Sequence, residues 1–357
     1  MKTYIKFLIT IFLKSFFYVL FILLSLVFIL NLLTELEFFK NINIDTYFML
    51  LLSLLNTPSM IFDMFPFIFL ISTQLFFIKL FYNKEIEIFK YSGLKNTSII
   101  LTISSIAFFM GIIIITIFYN LSSNLKNFYL DLKSNYTSDG KYLAVITQNG
   151  LWIKDEINDK ILIINSSEIK SNTLVNNFIT VFNKNYVSEK NIKSEKIDIT
   201  NSEWVIYDAK IFEKNDYKVR DNIKLKTNFD YNRIQSLYSN LSSLNVFLLY
   251  ELRENYKKLN YSLTEVDLQI LKLTSYPIYL LLMTIFSSLI MLKIKQFDNT
   301  TIKIAVGLFF SVIIYYISNF FFILGSTERL PLFFSIFIPL ILLSLTNIIM
   351  FKNINEK

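Results

Sequence analysis

Hydrophobic and polar positions fall in blocks along this chain. Residues 5–33 are apolar apart from Lys6, Lys14 and a few small polar side chains, more than the roughly 20 residues that a helix needs to cross a hydrocarbon core. This predicts span one. The run is too long for a signal peptide, and no small-residue cleavage site precedes Glu35. Residues 47–82 form a longer apolar run interrupted by Pro58 and Pro66. A proline inside a helix removes a donor and crowds the preceding turn, so the pattern predicts a short interfacial helix and then span two over residues 60–81. Span three is expected over 97–119, with its exit marked by Asn120 and a Ser/Asn/Lys run. Spans four, five and six follow over 268–292, 302–324 and 330–351.

The middle of the chain, residues 121–265, reads differently. Runs rich in Ile, Val, Tyr and Thr at 141–147, 151–154, 160–165, 173–182, 203–212 and 217–226 predict strands. Asn149-Gly150 is a hairpin turn signal, because a type I′ turn needs positive φ at both central positions. Residues 233–259 carry apolar positions at three-to-four spacing and predict a helical return. An antiparallel sandwich or open roll of about 100 residues fits the strands, with Trp152 in its core. The predicted fold class is a membrane α-helical bundle of six transmembrane helices, three plus three, with an inserted extracytoplasmic all-β domain. Its parts are residues 1–120, 121–265 and 266–357.

Lysine bias sets the expected orientation. In a six-span arrangement Lys2, Lys6, Lys84, Lys90 and Lys95 share one side with Lys293, Lys295, Lys303, Lys352 and Lys357. The opposite loops show no basic excess: residues 35–46 hold two Glu, one Asp and one Lys, and residues 325–329 one Glu and one Arg. Both termini are therefore expected in the cytoplasm and residues 121–265 outside it.

Composition narrows the function. The chain has 357 residues, 54% hydrophobic and only 18% charged, too apolar for an ordinary soluble domain. Its net charge of +7 comes mostly from single scattered lysines, with no basic stripe for nucleic acid. It contains no cysteine and no histidine, which excludes thiol nucleophiles, imidazole bases, disulfides and Cys/His zinc sites. The six glycines are too far apart for a phosphate-cradling loop, and nothing calls for a cofactor.

Two stretches carry a resemblance. PSMIFDMFPF over residues 58–67 enters span two and KEIEIFKYSG over 84–93 follows it; NGLWIKD over 149–155 opens the insert. Together they resemble the lipopolysaccharide export permeases of the LptF/LptG family. The six-span plan and the closing Arg329-Leu330-Pro331 with Pro339 extend the resemblance over essentially the whole chain, and the ending looks more like LptG. The resemblance implies a non-enzymatic half-transporter of the bacterial inner membrane, paired with a homologous LptF-type permease. It also implies a cytoplasmic LptB-type ATPase dimer, a single-span LptC-type partner and a periplasmic LptA-type bridge. Lipopolysaccharide would pass from the membrane into a cavity between the permeases, then to a periplasmic jellyroll, here the insert.

The same resemblance marks residues 83–95 as the ATPase-coupling segment. Glu85 matches the family's acidic position, with Glu87 beside it; Gly93 matches its glycine, and Lys90 stands where Arg is frequent. Positive-inside bias alone would explain the lysines but neither glutamate. Lipid phosphates call for cations at the outer headgroup level. Lys126 matches a basic family position, while Lys40 and Lys133 are candidates by position, with snorkelling the competing reading. Asn31, Glu35 and Glu37 replace the basic residues that relatives often carry at the end of span one. Phe28, Phe67, Phe310, Tyr315 and Phe322 are candidates for the acyl-chain wall. Gly307, Ser311, Ser318 and Asn319 read as packing positions of span five, and Asp63 as helix-start chemistry at the outer interface. The rivals are an exporter with its large domain after span one, another lipid or lipoprotein exporter, and a sensor or scaffold. A membrane transferase would need convergent acidic residues or a histidine at the membrane face.

Overall fold

The computed structural model describes residues 3–40, 42, 44–134, 136, 151–157, 160–170, 172–213, 216–231, 234, 240–258, 262–293 and 300–352. In chain order the helices are α1 (Thr3–Phe38), α2 (Thr46–Tyr82), α3 (Glu85–Tyr91), α4 (Asn96–Ile113), a π-helical segment (Ile114–Tyr119) and α5 (Asn120–Ser134). Among the described residues six strands follow: β1 (Leu151–Ile157), β2 (Lys160–Lys170), β3 (Thr173–Asn183), β4 (Ser188–Asp198), β5 (Glu203–Glu213) and β6 (Asp216–Lys226). The chain ends with α6 (Val246–Lys258), α7 (Thr264–Lys293), α8 (Thr300–Ser326) and α9 (Leu332–Phe351). Two compact units result: Met1–Lys126 with Thr264–Lys357, and Asn127–Leu263. The predicted strand 141–147 and the Asn149-Gly150 turn lie outside the described residues, as do Lys2, Arg233, Lys295 and Lys357.

Six helices of the first unit are long and apolar enough to cross a membrane, so the chain is a multi-pass membrane protein. Two boundaries differ from expectation. The helix of the third span does not stop at Asn120; helical backbone continues from Asn96 to Lys133. The Asn120 side chain donates 2.8 Å to the Thr116 carbonyl, feeding the widened π turn instead of capping a terminus. Nor do the prolines break the second span, since Pro58 and Pro66 both lie inside one continuous α2.

Pro66 has no N–H for the carbonyl of Phe62 one turn back. The Tyr276 hydroxyl of α7 donates to that carbonyl, so the group freed by proline is satisfied from another span, as a bilayer interior demands. Beside Pro58, the Ser53 carbonyl accepts from Asn31 Nδ2 at 3.0 Å and Thr57 Oγ1 at 2.6 Å, tying α2 to α1. Below that, Phe16 packs on Phe69 at 5.0 Å and Phe12 on Phe76 at 6.1 Å. The most apolar windows of α2 and α7 are 67% and 72% buried, against 22% for α1 and 11% for the fifth span. The pair α2/α7 is therefore the spine, with α1 and α8 on the outside. A Cβ on Gly307 would stand 1.8 Å from Gln74 Nε2, so the glycine leaves room for the Gln74 amide where α8 meets α2.

In the second unit the six strands pair antiparallel in consecutive order within one sheet. Ile153, Ile164, Ile179, Ile192 and Ile211 stand opposite one another across five strands, and all are buried. Strand β4, SEKNIKSEKID, was not predicted. Its inward positions are only Ile192, Ser194 and Ile197, so its Lys and Glu residues masked a strand that sheet pairing holds. Trp152 is 55% exposed and is not core; its neighbours Leu151 and Ile153 take the buried face by strand alternation. The buried indole is Trp204, whose Nε1 donates to the Phe229 carbonyl at 2.8 Å. Of the expected helical return over 233–259, residues 233, 235–239 and 259 lie outside the described residues. Asn240 caps a 3-10 turn (Leu241–Ser243), and Asn245 accepts from the Leu248 N–H at 2.9 Å to start α6.

A crease crosses the sheet. Register is kept on either side of Asn176 and shifts only farther along, between Val181 and Phe182, but pairing skips Ser167 opposite Asn176 and Glu195 opposite Asn176, and Asn176 and Asp208 adopt φ of 52° and 49°. Buried Ser166, Asn177 and Ser194 flank that line, hydrogen-bonding to strand carbonyls such as Val175, Leu174 and Tyr207. The sheet curls enough for the chain leaving β6 to reach β1: the Asn228 N–H and Nδ2 donate to the Asp155 carboxylate at 2.9 and 2.8 Å.

Asp155→Ala removes the carboxylate that accepts both bonds and should destabilise this unit by about 1–3 kcal/mol. The chain's two tryptophans, Trp152 and Trp204, both lie here, so fluorescence-monitored unfolding of the full protein reads this unit alone. An unchanged midpoint would refute the clip.

Candidate functional site

The segment between the second and third spans is shaped by its two ends. Lys84 turns the chain with φ 55°, and Asn83 Nδ2 donates to Glu85 Oε1 at 3.2 Å. The helix α3 then carries Glu85 and Glu87 in its first turn and Lys90 in its last, the order that complements the helix dipole. Its end is a Schellman motif: Gly93 N–H donates to the Lys90 carbonyl and Leu94 N–H to that of Phe89. Gly93 has φ 79°, a left-handed conformation that a side chain disfavours.

One face of α3 is fixed. Ile86 is buried and Phe89 meets Phe7 of α1 edge-on at 6.1 Å. The other face is open, with Ile88 61% and Tyr91 90% exposed and Tyr82 of α2 beside them in sequence at 89%. An aromatic and aliphatic surface flanked by carboxylates, on a short helix braced against two spans, can dock a protein partner and pass its movement into the bundle.

A second site lies within the bundle. A cavity of about 230 Å³ opens between α2, α7, α8 and α9. Lys272 Nζ donates to Asp63 Oδ1 at 3.2 Å and sits 5.8 Å from the Phe322 ring centre. Tyr279, Tyr315, Ser318 and Asn319 add to the polar lining. Phe67 contacts Tyr315 at 5.7 Å between ring centres. Ser318 and Pro339 also line a second groove of about 420 Å³. Its remaining wall is almost wholly apolar and includes Phe286, Ile290, Phe310, Ile314 and Met350.

The structure thus draws Tyr315 and Phe322 to the polar cavity, with Phe67 against Tyr315, and Phe310 to the apolar groove. Phe28, half-buried on α1, lines neither. Ser311 packs, with its hydroxyl on the Leu308 carbonyl, whereas Ser318 and Asn319 face the cavity. Asp63 is not at a helix start but well inside α2. Lys40 is exposed and Lys126 half-buried; Lys133 is buried, its ammonium donating to the Tyr129 hydroxyl at 2.8 Å. None of the three lines the cavity. Sequence reasoning passed over Lys272. The available signal was one carboxylate in the second span and one ammonium in the fourth, a combination that inside a membrane calls for pairing.

Residues 6–353 match the family described as lipopolysaccharide export system permease LptF/LptG. The chain belongs to that family. No curated protein sequence matches it. LptF/LptG proteins are transporter permeases, not enzymes, and act with other Lpt components in an ABC transporter. In this LptF/LptG chain the six apolar helices and the central β sheet are the membrane and inserted parts of such a permease.

Tyr276→Phe removes the donor to the Phe62 carbonyl while keeping the ring stacked on Phe62 at 4.9 Å. The purified full chain should lose about 1–2 kcal/mol of stability, seen as an earlier loss of helical circular dichroism on heating. No shift would mean that α2 tolerates Pro66 unaided.

Proposed function

We propose that this chain is one half of the permease that extracts lipopolysaccharide from the bacterial inner membrane and hands it to a periplasmic bridge for export. It pairs with a homologous permease, and a separate ATPase dimer supplies the energy. The lysine bias of the loops supports cytoplasmic termini, a cytoplasmic α3 and a periplasmic β domain. The single observation that carries the reading is the family match over nearly the whole chain, and the open face of α3 fits a docking role within it.

Nucleotide-driven closure of the ATPase dimer pushes the two permeases together through this segment. Spans one and five, the least buried, line the lipid cavity with the partner and narrow it as a rigid body. A single-span LptC-type subunit and an LptA-type bridge receive the lipid by way of the β domain. Lys126 and Lys40 meet lipid phosphates at the outer headgroup level; the bond of Lys133 to Tyr129 makes it the weakest candidate of the three.

Glu85→Ala should leave membrane insertion and ATP hydrolysis by the assembled complex intact while lowering lipopolysaccharide release from proteoliposomes about tenfold or more, roughly 1.4 kcal/mol of lost coupling. Undiminished release by that variant would remove Glu85 from the coupling role.

A further inference from the structure

We propose that the cavity around Asp63 and Lys272, with the apolar groove beside it, holds one bilayer phospholipid with a phosphoethanolamine headgroup inside this single permease chain. The two spaces share Ser318 and Pro339, so polar and apolar compartments adjoin along α8. Their α8 lining runs from Phe310 to Phe322, about 18 Å at the rise of an α-helix, slightly more than the roughly 15 Å of one leaflet's hydrocarbon. That is the division and length of an amphiphile with one chain laid in the groove. Ile313 and Ile317 of the groove stay 38% and 37% exposed, leaving it open sideways for entry from the bilayer.

The charges select the headgroup. The Asp63–Lys272 bond occupies one of the three ammonium donors, and the side chains remain 59% and 39% exposed. A zwitterion laid antiparallel on this pair sets its phosphate on Lys272 and its ammonium on Asp63, so that each new contact is a charge-assisted hydrogen bond. Tyr315 and Asn319 add neutral donors within reach of the same space. A headgroup carrying only negative charge can reach Lys272, but it also meets the Asp63 carboxylate and brings no cation of its own to offset that repulsion. The site is therefore complementary to an aminophospholipid and not to phosphatidylglycerol or to the bisphosphorylated anchor of lipopolysaccharide, and it does not depend on which lipid the complex exports.

The test is native mass spectrometry of the full chain in its native complex, exchanged into micelles containing equal amounts of phosphatidylethanolamine, phosphatidylglycerol and lipid A. The wild type should retain one phosphatidylethanolamine per chain with about tenfold preference over phosphatidylglycerol. Asp63→Asn should bring that preference to parity. Ile314→Trp, which fills the groove and leaves the charges untouched, should abolish retention of either phospholipid. Gel filtration of each variant checks assembly, and if either fails to assemble the wild-type ratio alone decides. Equal retention of phosphatidylglycerol, preferential retention of lipid A, no retained lipid, or an unaltered preference in Asp63→Asn would each overturn the proposal.

Discussion

A proline inside a membrane-spanning helix exposes a carbonyl that no solvent can satisfy, and in this chain a tyrosine from another span supplies the missing hydrogen bond. The contact between the Tyr276 hydroxyl and the Phe62 carbonyl lets α2 pass through Pro66 as one helix. It also fixes the depth at which α7 lies against α2. The neighbouring pair, Asp63 on α2 and Lys272 on α7, follows from that depth, since each is within one turn of its helix's tyrosine contact. The same spine receives α8 through the notch where Gly307 meets Gln74. The polar cavity is the space left between these helices at the level of the ion pair.

Hydrophobic length was the most legible feature, because crossing a bilayer imposes a direct minimum on apolar run length. Strands β1, β2, β3, β5 and β6 were legible from β-branched and aromatic residues. Strand β4 was not, because a strand with one wet face can carry Lys and Glu at most positions and still contribute Ile192 and Ile197 to the core. Trp152 was misplaced because size was weighed ahead of alternation; Leu151 and Ile153 on either side already claimed the inner face.

The candidate site was legible where it is local and hidden where it is not. Glu85 to Gly93 is a contiguous run whose helix, dipole order and glycine stop can be read from neighbouring residues. Asp63 and Lys272 are partners 209 positions apart, and each alone looks like an ordinary charge near the interface. The uninterrupted α2 was hidden for the same reason, since local proline chemistry forecasts a break, whereas the donor to the Phe62 carbonyl comes from Tyr276 on a distant span.

Sidedness is the premise on which the permease account stands: α3 after two spans and the β domain after three must face opposite compartments. The cysteine-free sequence makes this directly measurable with single cysteines at the exposed positions Tyr91 on α3 and Tyr186 between β3 and β4, treated with a membrane-impermeant maleimide. In spheroplasts, Tyr186→Cys should label at once and Tyr91→Cys only after lysis. Labelling of Tyr91→Cys in intact spheroplasts, with Tyr186→Cys protected, would contradict the account.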